Sequence, residues 1–142
     1  MNPLVSVIIN CHNGEEFLNE AIKSIYAQTY ENWEIIFFDN NSTDNTSCIA
    51  KSFDHKLKYF KSKELYSLYQ ARNKALELCK GEVIGFLDSD DIWIKDKLKI
   101  QLSLYNKEFP IVYGGYQIID SNNKKSEIYA LEGPTGYITS KL

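Results

Sequence analysis

The sequence predicts an α/β fold in which a mostly parallel sheet is flanked by helices and followed by a C-terminal antiparallel hairpin. Three observations lead to this prediction. Short apolar runs alternate four times along the chain with segments whose apolar residues recur every three or four positions. Three of the apolar runs end in polar clusters, as parallel strands do where their carboxyl ends border a ligand site. Further along, two extended segments flank a polar turn.

The first strand is predicted over residues 4–9, where an apolar, β-branched run precedes the polar segment 10–14. From residue 17 to residue 26 the apolar side chains return at helical spacing, with charged residues on the other face. That pattern is typical of a helix that packs on a sheet. Asn13 or Gly14 is expected to cap its start.

The second strand is predicted over residues 33–38, a mostly apolar run that ends at Asp39. The polar segment 40–44 follows. Because Ser, Asp and Asn side chains accept the free amides at a helix start, this segment is expected to cap a helix that runs through about Lys51. Residues 57–60 predict a short third strand.

The third helix is predicted from Leu68 to Leu78 by its apolar spacing and is expected to stop at Gly81, taken as a left-handed cap. Residues 83–87 then predict a fourth strand, which runs straight into the acidic turn Asp88–Asp91. A last helix is predicted over residues 95–105, where apolar residues again recur at helical spacing.

The C-terminal part is predicted to form an antiparallel hairpin, with arms over residues 111–120 and 126–131 and a polar turn over 121–125. The sequence shows no internal repeat, low-complexity segment or interdomain linker. Residues 1–142 are therefore expected to form a single domain.

Composition and charge exclude several classes of protein. The 142 residues carry 16 Lys+Arg against 19 Asp+Glu, a net charge of −3, which argues against nucleic acid as a partner. A chain this long buries roughly two-thirds of its unfolded surface and needs no disulfide framework. Cys11, Cys48 and Cys79 are too widely spaced for a zinc site and indicate reduced thiols. The N-terminal apolar run is too short for a signal or transmembrane segment, so a cytoplasmic location is expected.

The strongest chemical signal is the acidic turn formed by Asp88, Ser89, Asp90 and Asp91. Close carboxylate pairs repel by up to about 4 kcal/mol at an effective dielectric of about 20. A divalent cation, Mg²⁺ or Mn²⁺, is expected to offset that charge. Such an ion keeps open coordination positions, which the oxygens of a substrate diphosphate are expected to fill. Arg72, the only arginine, is predicted to add charge-assisted contacts. The alternatives are a solvated turn that caps a helix and, for Arg72, a surface ion pair.

The other two strand ends carry neutral and acidic polar groups. Asp39 and Asn40 offer acceptors and donors that suit a base or a ribose, and the alternative is a turn that caps the next helix. Residues Asn10 to Asn13 form the predicted exit loop of the first strand. His12 in that loop is a candidate for stacking on a base, and the alternative is a structural histidine.

Taken together, these motifs resemble the family 2 glycosyltransferases, inverting enzymes of the GT-A fold that use nucleotide-diphosphate sugars. The matching text is VSVIINCHNGEEFLNEAIKSIYAQTYENWEIIFFDNNSTDNT and ARNKALELCKGEVIGFLDSDDIW, within residues 4–46 and 71–93. The resemblance implies a UDP-linked donor, a Mg or Mn cofactor and a glycan or lipid-linked acceptor. It also implies peripheral attachment of the whole protein at the inner face of the membrane.

The resemblance assigns roles to residues of this chain. Asn10, His12 and Asn13 of the first loop would bind the base, together with Asp39 and Asn40. Arg72 would lie near the diphosphate. Asp88 and Asp90 would form the DxD motif of the family, in which Asp88 or Asp90 contacts the ribose and Asp90, with Asp91, holds the metal.

Three departures from the family pattern affect these roles. The first loop of the family usually reads Pro-Thr-Tyr-Asn, where this chain has Asn10-Cys11-His12-Asn13, and the usual Asp-Asp pair is Asp39-Asn40. The family also continues into an acceptor-binding half that carries the catalytic base. That base is expected beyond residue 142, so this chain alone is expected to be an inactive donor-binding part.

Two other classes of function stay open at this stage. One is a module that binds a nucleotide or nucleotide sugar without transferring it. The other is a phosphohydrolase with a strand-end aspartate as nucleophile. The absence of a P-loop motif, of GxGxxG and of GxSxG disfavours P-loop ATPases, dinucleotide dehydrogenases and α/β-hydrolases.

Overall fold

The computed structural model describes residues 2–106, 108, 110–120 and 124–129. The chain divides into two compact units, Met1–Lys99 and Ile100–Leu142; that the two form a single domain stays a prediction. In order, the elements are β1 (Val5–Cys11), α1 (Leu18–Tyr26), β2 (Trp33–Asp39), α2 (Thr46–Lys51), β3 (Leu57–Lys61), α3 (Leu68–Leu76), β4 (Val83–Phe86) and α4 (Lys97–Leu104). Among the described residues, no helix has the length and apolar character that a membrane crossing requires.

The four strands form one parallel sheet in the order β3-β2-β1-β4, which confirms the predicted fold class. The chain builds outward from β1 through β2 to β3, and α3 then carries it back across to the other side of β1. The strand order therefore reverses between β1 and β4. In open parallel sheets such a reversal leaves a crevice at the carboxyl ends of the strands, and ligands bind there.

The core explains why β1 and β2 read as near-continuous apolar runs. Every residue of β2 is buried, as expected for a strand whose two faces are both covered. On one face, side chains of β1 and β2 pack on α3 through Ile8, Ile36, Phe38, Ala71 and Ala75. The two alanines let α3 approach the sheet closely. α1 buries the apolar stripe that its sequence predicts.

Three predicted boundaries are corrected by the structure. β1 extends through Asn10 to Cys11, because its pairing with β2 continues to Cys11 opposite Asp39, so the first two residues of the predicted loop belong to the strand. α1 begins without a side-chain cap, and the carbonyl of Gly14 accepts the N–H of Leu18 at 3.1 Å instead. The third helix ends at Leu76, well before the predicted stop.

Gly81 is not the predicted left-handed helix cap. It is required because the connection between α3 and β4 passes directly against β1. A Cβ atom at this position would lie 2.6 Å from both the carbonyl oxygen of Leu4 and the backbone nitrogen of Ser6. The backbone N–H of Gly81 donates to Ser6 Oγ at 2.8 Å.

The second unit contains the predicted antiparallel hairpin in part. Tyr116 pairs with Tyr129, exchanging backbone hydrogen bonds of 3.1 and 2.9 Å, and Ile119 pairs with Lys125. The two tyrosine rings stack with centroids 5.3 Å apart. Residues 121–123 of the predicted turn and residues 130–131 of the second arm lie outside the described residues.

Candidate functional site

Two loops at the carboxyl edge of the sheet are joined by reciprocal hydrogen bonds. We call residues 12–17, after β1, the β1 loop and residues 40–45, after β2, the β2 loop. The N–H of Asn13 donates to Ser42 Oγ at 3.0 Å, and Asn13 Oδ1 accepts the N–H of Thr43 at 2.8 Å. Further along, the N–H of Glu15 donates to Asp44 Oδ2 at 3.1 Å, and Glu15 Oε2 accepts the N–H of Asn45 at 2.8 Å.

The reciprocal hydrogen bonds between the two loops depend on two asparagines whose backbone has the left-handed conformation. Asn13 has φ 54° and Asn41 has φ 63°, a region that asparagine tolerates better than other residues with a Cβ atom. Each lies where its loop turns back towards the other loop. The two loops thus form one preorganised surface beside the crevice.

His12 is exposed on this surface with a defined hydrogen bond. Its Nδ1 lies 3.0 Å from the carbonyl oxygen of Asn40, which can only accept, so Nδ1 carries the proton. Nε2 lies 3.4 Å from the amide nitrogen of Asn13. The structure therefore brings His12, Asn13 and Asn40 together, as the sequence predicts.

Asp39 is placed at the strand end but is fully buried. Its Oδ1 accepts the N–H of Ser42 at 2.7 Å, its Oδ2 accepts the hydroxyl of Tyr59 at 2.5 Å, and Lys61 Nζ lies 3.9 Å away. Burial, and then the bond to Asp39, raises the pKa of Tyr59. The carboxylate thus holds the β2 loop, and its predicted contact with a nucleotide stays a prediction.

The side chain of Asn40 is also engaged. Its Oδ1 accepts the N–H of Tyr66 and its Nδ2 donates to the carbonyl of Tyr66, both at 2.9 Å. This pair of bonds attaches the segment before α3 to the β2 loop. α3 is the helix that carries Arg72, so Asn40 links the β2 loop to the segment that leads to the arginine.

Asn10 is the one side chain among the described residues whose buried polar atoms lack hydrogen-bond partners. Both its Oδ1 and its Nδ2 are buried without a hydrogen bond. An unsatisfied buried amide costs about 1–3 kcal/mol per group. A cost of that kind is commonly tolerated where a ligand completes the hydrogen bonds, which agrees with the site predicted here.

The acidic turn lies at the end of β4, on the other side of the crevice. The N–H of Asp91 donates to the carbonyl of Asp88 at 3.1 Å, which closes the turn. Arg72 Nη2 donates to Asp88 Oδ1 at 3.0 Å, and its guanidinium carbon lies 5.7 Å from the ring centroid of Phe86. The pKa of Asp91 is raised by partial burial and then by the charges of Asp90 and Asp88.

The turn suits a divalent cation that is completed by a ligand. Among the described residues, no three His, Cys, Asp or Glu side chains converge into a metal site of their own. Asp88 is engaged by Arg72, which leaves Asp90 and Asp91 as exposed oxygen donors. Magnesium and manganese are commonly held by one or two carboxylates together with substrate phosphate oxygens, so this donor set fits such an ion.

Sequence reasoning missed a group of contacts beneath the turn. The thiol of Cys11 is buried near the hydroxyls of Ser89 and Thr46, and burial raises its pKa, which keeps the thiol protonated. The N–H of Gly14 donates to Thr46 Oγ1 at 2.9 Å. The position of Ser89 between the aspartates is the one signal that marks any of these residues in the sequence.

The parallel sheet, its reversal at β1 and three polar clusters around one crevice define an α/β domain of the doubly wound type, a class in which ligands bind at this crevice. Comparison with known families is more specific. The model of glycosyl transferase family 2 matches residues 6–138, and this chain belongs to that family.

Individual relatives agree with this membership. WfgD of Escherichia coli, a UDP-Glc:alpha-D-GlcNAc-diphosphoundecaprenol beta-1,3-glucosyltransferase, is 40% identical over 84% of this chain and 48% of its own length. TuaG of Bacillus subtilis, a teichuronic acid biosynthesis glycosyltransferase by name, is 36% identical over 82% of this chain and 48% of its own. The chain thus spans about half the length of these curated relatives.

Solved structures confirm the fold. S. aureus TarS 1-349 in complex with UDP superposes with a TM-score of 0.66 at 31% identity, over 70% of this chain and 31% of that one. The mannosyltransferase PcManGT from Pyrobaculum calidifontis, in complex with GDP-Man and Mn²⁺, superposes with a TM-score of 0.71 at 25% identity, over 81% of this chain and 35% of that one.

Proposed function

We propose that this chain is the donor-binding part of an inverting glycosyltransferase that transfers a hexose from a nucleotide-diphosphate sugar to an acceptor hydroxyl. The observation that carries the proposal is the division of polar groups around the crevice. The amides of Asn10, Asn13 and Asn40 and the imidazole lie at the ends of β1 and β2, whereas the adjacent exposed carboxylates of Asp90 and Asp91 and the arginine lie at the end of β4 or beside it. A nucleotide diphosphate has the matching division, with a neutral base at one end and charged phosphates at the other.

On the base side, we assign Asn10, His12 and Asn13 to contacts with the base. Asn10 offers a donor and an acceptor that the described residues do not use. Asp39 and Asn40 are proposed to act with them, Asn40 from the segment that holds the His12 ring. A uridine base is proposed because an asparagine amide can complement the donor and acceptor of its imide edge. The UDP complex of TarS supports this choice.

On the phosphate side, Arg72 is proposed to contact the diphosphate from α3, and Asp88 to orient the arginine and contact the ribose. Asp90 and Asp91 would hold Mg²⁺ or Mn²⁺ between the turn and the diphosphate. When bound, the cation stabilises the negative charge that develops on the departing nucleotide diphosphate. The Mn²⁺ complex of PcManGT supports the choice of ion. The role of catalytic base is assigned to no described residue.

The acceptor is proposed to be a glycan or a lipid-linked saccharide, as the names of TuaG and WfgD suggest for those proteins. A lipid-linked acceptor would place the whole protein in the cytoplasm, at the inner face of the membrane. This part of the proposal concerns the whole enzyme rather than the donor site.

Isothermal titration calorimetry with UDP, GDP and CDP, each with and without Mn²⁺, tests the donor site. We expect UDP to bind most tightly, with an affinity that rises with Mn²⁺ and loses that rise in Asp90→Asn. Glu77→Gln, which removes one exposed acid at the end of α3, serves as the charge-matched control and should behave as wild type. A folded chain that binds none of the three nucleotides would refute the proposal.

Because this part alone is expected to be inactive, incubation of the whole enzyme with UDP-glucose, the metal and an acceptor separates the proposal from the two alternatives that the sequence leaves open. A transferase releases UDP only together with transfer or slow hydrolysis, and a binding module leaves the sugar nucleotide intact. Inorganic phosphate release that disappears in Asp88→Asn would instead indicate a phosphohydrolase. The comparisons favour the transferase over both alternatives.

A further inference from the structure

The segment that follows the acidic turn is attached to α1. We call residues 92–98 the post-turn segment. The backbone N–H of Trp93 donates to Ser24 Oγ at 3.1 Å. Ser24 is buried, and its hydroxyl donates to the carbonyl of Ala21 at 2.7 Å, which orients the oxygen to accept the Trp93 N–H. The chain is thus attached to α1 only two residues after Asp91, the last carboxylate of the turn.

Gln28 extends this attachment beyond the end of α1. Its side chain is buried. Nε2 donates to the carbonyl of Ile94 at 2.8 Å and to the carbonyl of Ser24 at 3.1 Å. Oε1 accepts the N–H of Leu98 at 3.0 Å. Both N–H groups of the amide are therefore used, and one of them connects the post-turn segment to the residue that accepts the Trp93 N–H.

α1 also carries one of the loops on the other side of the crevice. The helix begins directly after the β1 loop, and the N–H of Leu18 donates to the carbonyl of Gly14 in that loop at 3.1 Å. The start of α1 thus holds the β1 loop, and Ser24 near its end holds the post-turn segment. Because the hydrogen bonds of a helix fix its rise per residue, the two attachments have a set separation.

The position of the two exposed carboxylates depends on the backbone of the turn. The side chains of Asp90 and Asp91 make neither a hydrogen bond nor an ion pair with any residue that the structure describes. Before the turn, the N–H of Leu87 donates to the carbonyl of Ile8 at 3.1 Å. After the turn, the bond from Trp93 to α1 fixes the chain again. The backbone that carries the carboxylates is therefore held at both ends.

From these contacts we infer that Ser24, supported by Gln28, is a positioning residue that sets where the carboxylates of the acidic turn lie relative to the β1 loop. The inference rests on the proposed function. Magnesium-type ions require near-ideal coordination geometry, so a cation shared by the turn and a diphosphate depends on the place of the carboxylates. Loss of the Ser24 bond should weaken the cooperation between metal and nucleotide while the contacts with the base stay intact.

Calorimetry of UDP tests the inference through the ratio of the dissociation constant without Mn²⁺ to the constant with it. Ser24→Ala removes the acceptor of the Trp93 N–H and should lower that ratio by about two- to tenfold, the range for one neutral hydrogen bond. Gln28→Met keeps the length of the side chain, removes both bonds to the post-turn segment and should lower the ratio at least as much. The affinity for uridine, which lacks phosphates, should change by less than about twofold in either variant.

Ser52→Ala is the matched control. Ser52 donates to the carbonyl of Ile49 three residues before it at 2.7 Å, as Ser24 does to Ala21. The control therefore removes the same local bond but leaves the attachment of the post-turn segment intact. It should leave the ratio unchanged. A Ser24→Ala variant that keeps the wild-type ratio, or one that loses uridine binding equally, would overturn the inference.

Hydrogen exchange shows whether the effect of Ser24 reaches the turn. The N–H of Asp91 donates to the carbonyl of Asp88 at 3.1 Å, a bond that Ser24→Ala does not touch. We expect the variant to speed exchange of the Asp91 and Trp93 amides by about fivefold or more, relative to the amides of β1, which report global unfolding. Faster exchange at Trp93 alone would show a local role for Ser24 and would overturn the inference.

The exchange experiment needs no ligand and therefore separates this inference from the proposed function. A wild-type chain that binds neither UDP nor GDP would refute the proposed function, and the Asp91 amide would still show whether Ser24 orders the turn. Metal-dependent UDP binding by the wild type, together with wild-type exchange at Asp91 in Ser24→Ala, would refute the positioning role alone.

Discussion

Substitution of Arg72 tests whether this residue binds the nucleotide or only stabilises the fold, because the two roles predict different effects on stability and on affinity. Its ion pair with Asp88 joins side chains that are 38% and 61% exposed. Pairs this exposed contribute about 0–1 kcal/mol, and the contact with the half-exposed ring of Phe86 adds at most about 1 kcal/mol. Arg72→Gln should therefore lower the melting temperature by only a few degrees.

The expected loss in nucleotide binding is larger. A hydrogen bond from a charged donor to a phosphate contributes about 1.5–3 kcal/mol, so Arg72→Gln should weaken UDP binding in the presence of Mn²⁺ by about 10- to 150-fold. Arg72→Lys should recover part of the loss, because lysine keeps the charge but lacks the planar pair of donors. Binding of uridine should stay as in wild type.

Calorimetry and thermal unfolding of the same samples check both expectations. Lys74→Gln is the matched control, since it removes one positive charge from the same helix at a position that packs over the Tyr66 ring at 4.7 Å. It should change UDP binding by no more than about threefold, a loss that added salt should reduce. Wild-type UDP affinity in Arg72→Gln would refute the assignment. So would equal losses in Arg72→Gln and Lys74→Gln, which would indicate general electrostatic attraction.

Three further predictions concern the scaffold of the site. Gly81→Ala should cost about 1–3 kcal/mol of unfolding free energy in urea denaturation, because its Cβ would lie 2.6 Å from the backbone nitrogen of Ser6; an unchanged midpoint would contradict this close approach. Asn40→Ala should cost a similar amount, about 1–3 kcal/mol, and should increase hydrogen exchange at the Tyr66 amide, whereas unchanged protection would show that the amide bond is dispensable. Because the native state raises the pKa of Tyr59, it holds that proton more tightly than the unfolded chain, so stability is complete below about pH 10 and falls above it. Tyr59→Phe should flatten that fall in melting temperature between pH 9 and 11, and an equal fall in both proteins would show that other groups cause it.

The sheet could be predicted because its signals are local. Strands buried on both faces read as apolar runs, and a switch from strand to helical spacing marks each crossover. Parallel order then follows from the alternation, and it places all three polar clusters at one edge. The position of Gly81 could not be interpreted in this way. A glycine is required there because β1, more than seventy residues earlier in the chain, passes too close for a Cβ atom. A rule for helix caps considers only residues that are near in sequence and cannot detect this contact.

The same limit applies to Asp39. A carboxylate at a strand end can face the ligand or fold back on its own loop, and the choice here depends on the Ser42 amide and on the hydroxyl of Tyr59 in the next strand. The sequence pattern therefore predicts that Asp39 lies at the end of β2, as the structure shows. It cannot predict which groups the side chain bonds, because one of them, Tyr59, lies in another strand. Asn10 shows the reverse: it was predicted as a loop residue and lies in β1, with its amide unpartnered among the described residues.

The carboxylates on the two sides of the crevice have different hydrogen-bond partners. At the ends of β1 and β2, the carboxylates of Asp39, Asp44 and Glu15 all accept backbone N–H groups. These hydrogen bonds hold the β1 and β2 loops in place. On the β4 side, the carboxylates of Asp90 and Asp91 make neither a hydrogen bond nor an ion pair with any residue that the structure describes. Two adjacent carboxylates without such contacts therefore lie in the turn. A cation attracted there would meet the phosphates of a bound nucleotide, where it can stabilise the negative charge that develops on a departing diphosphate.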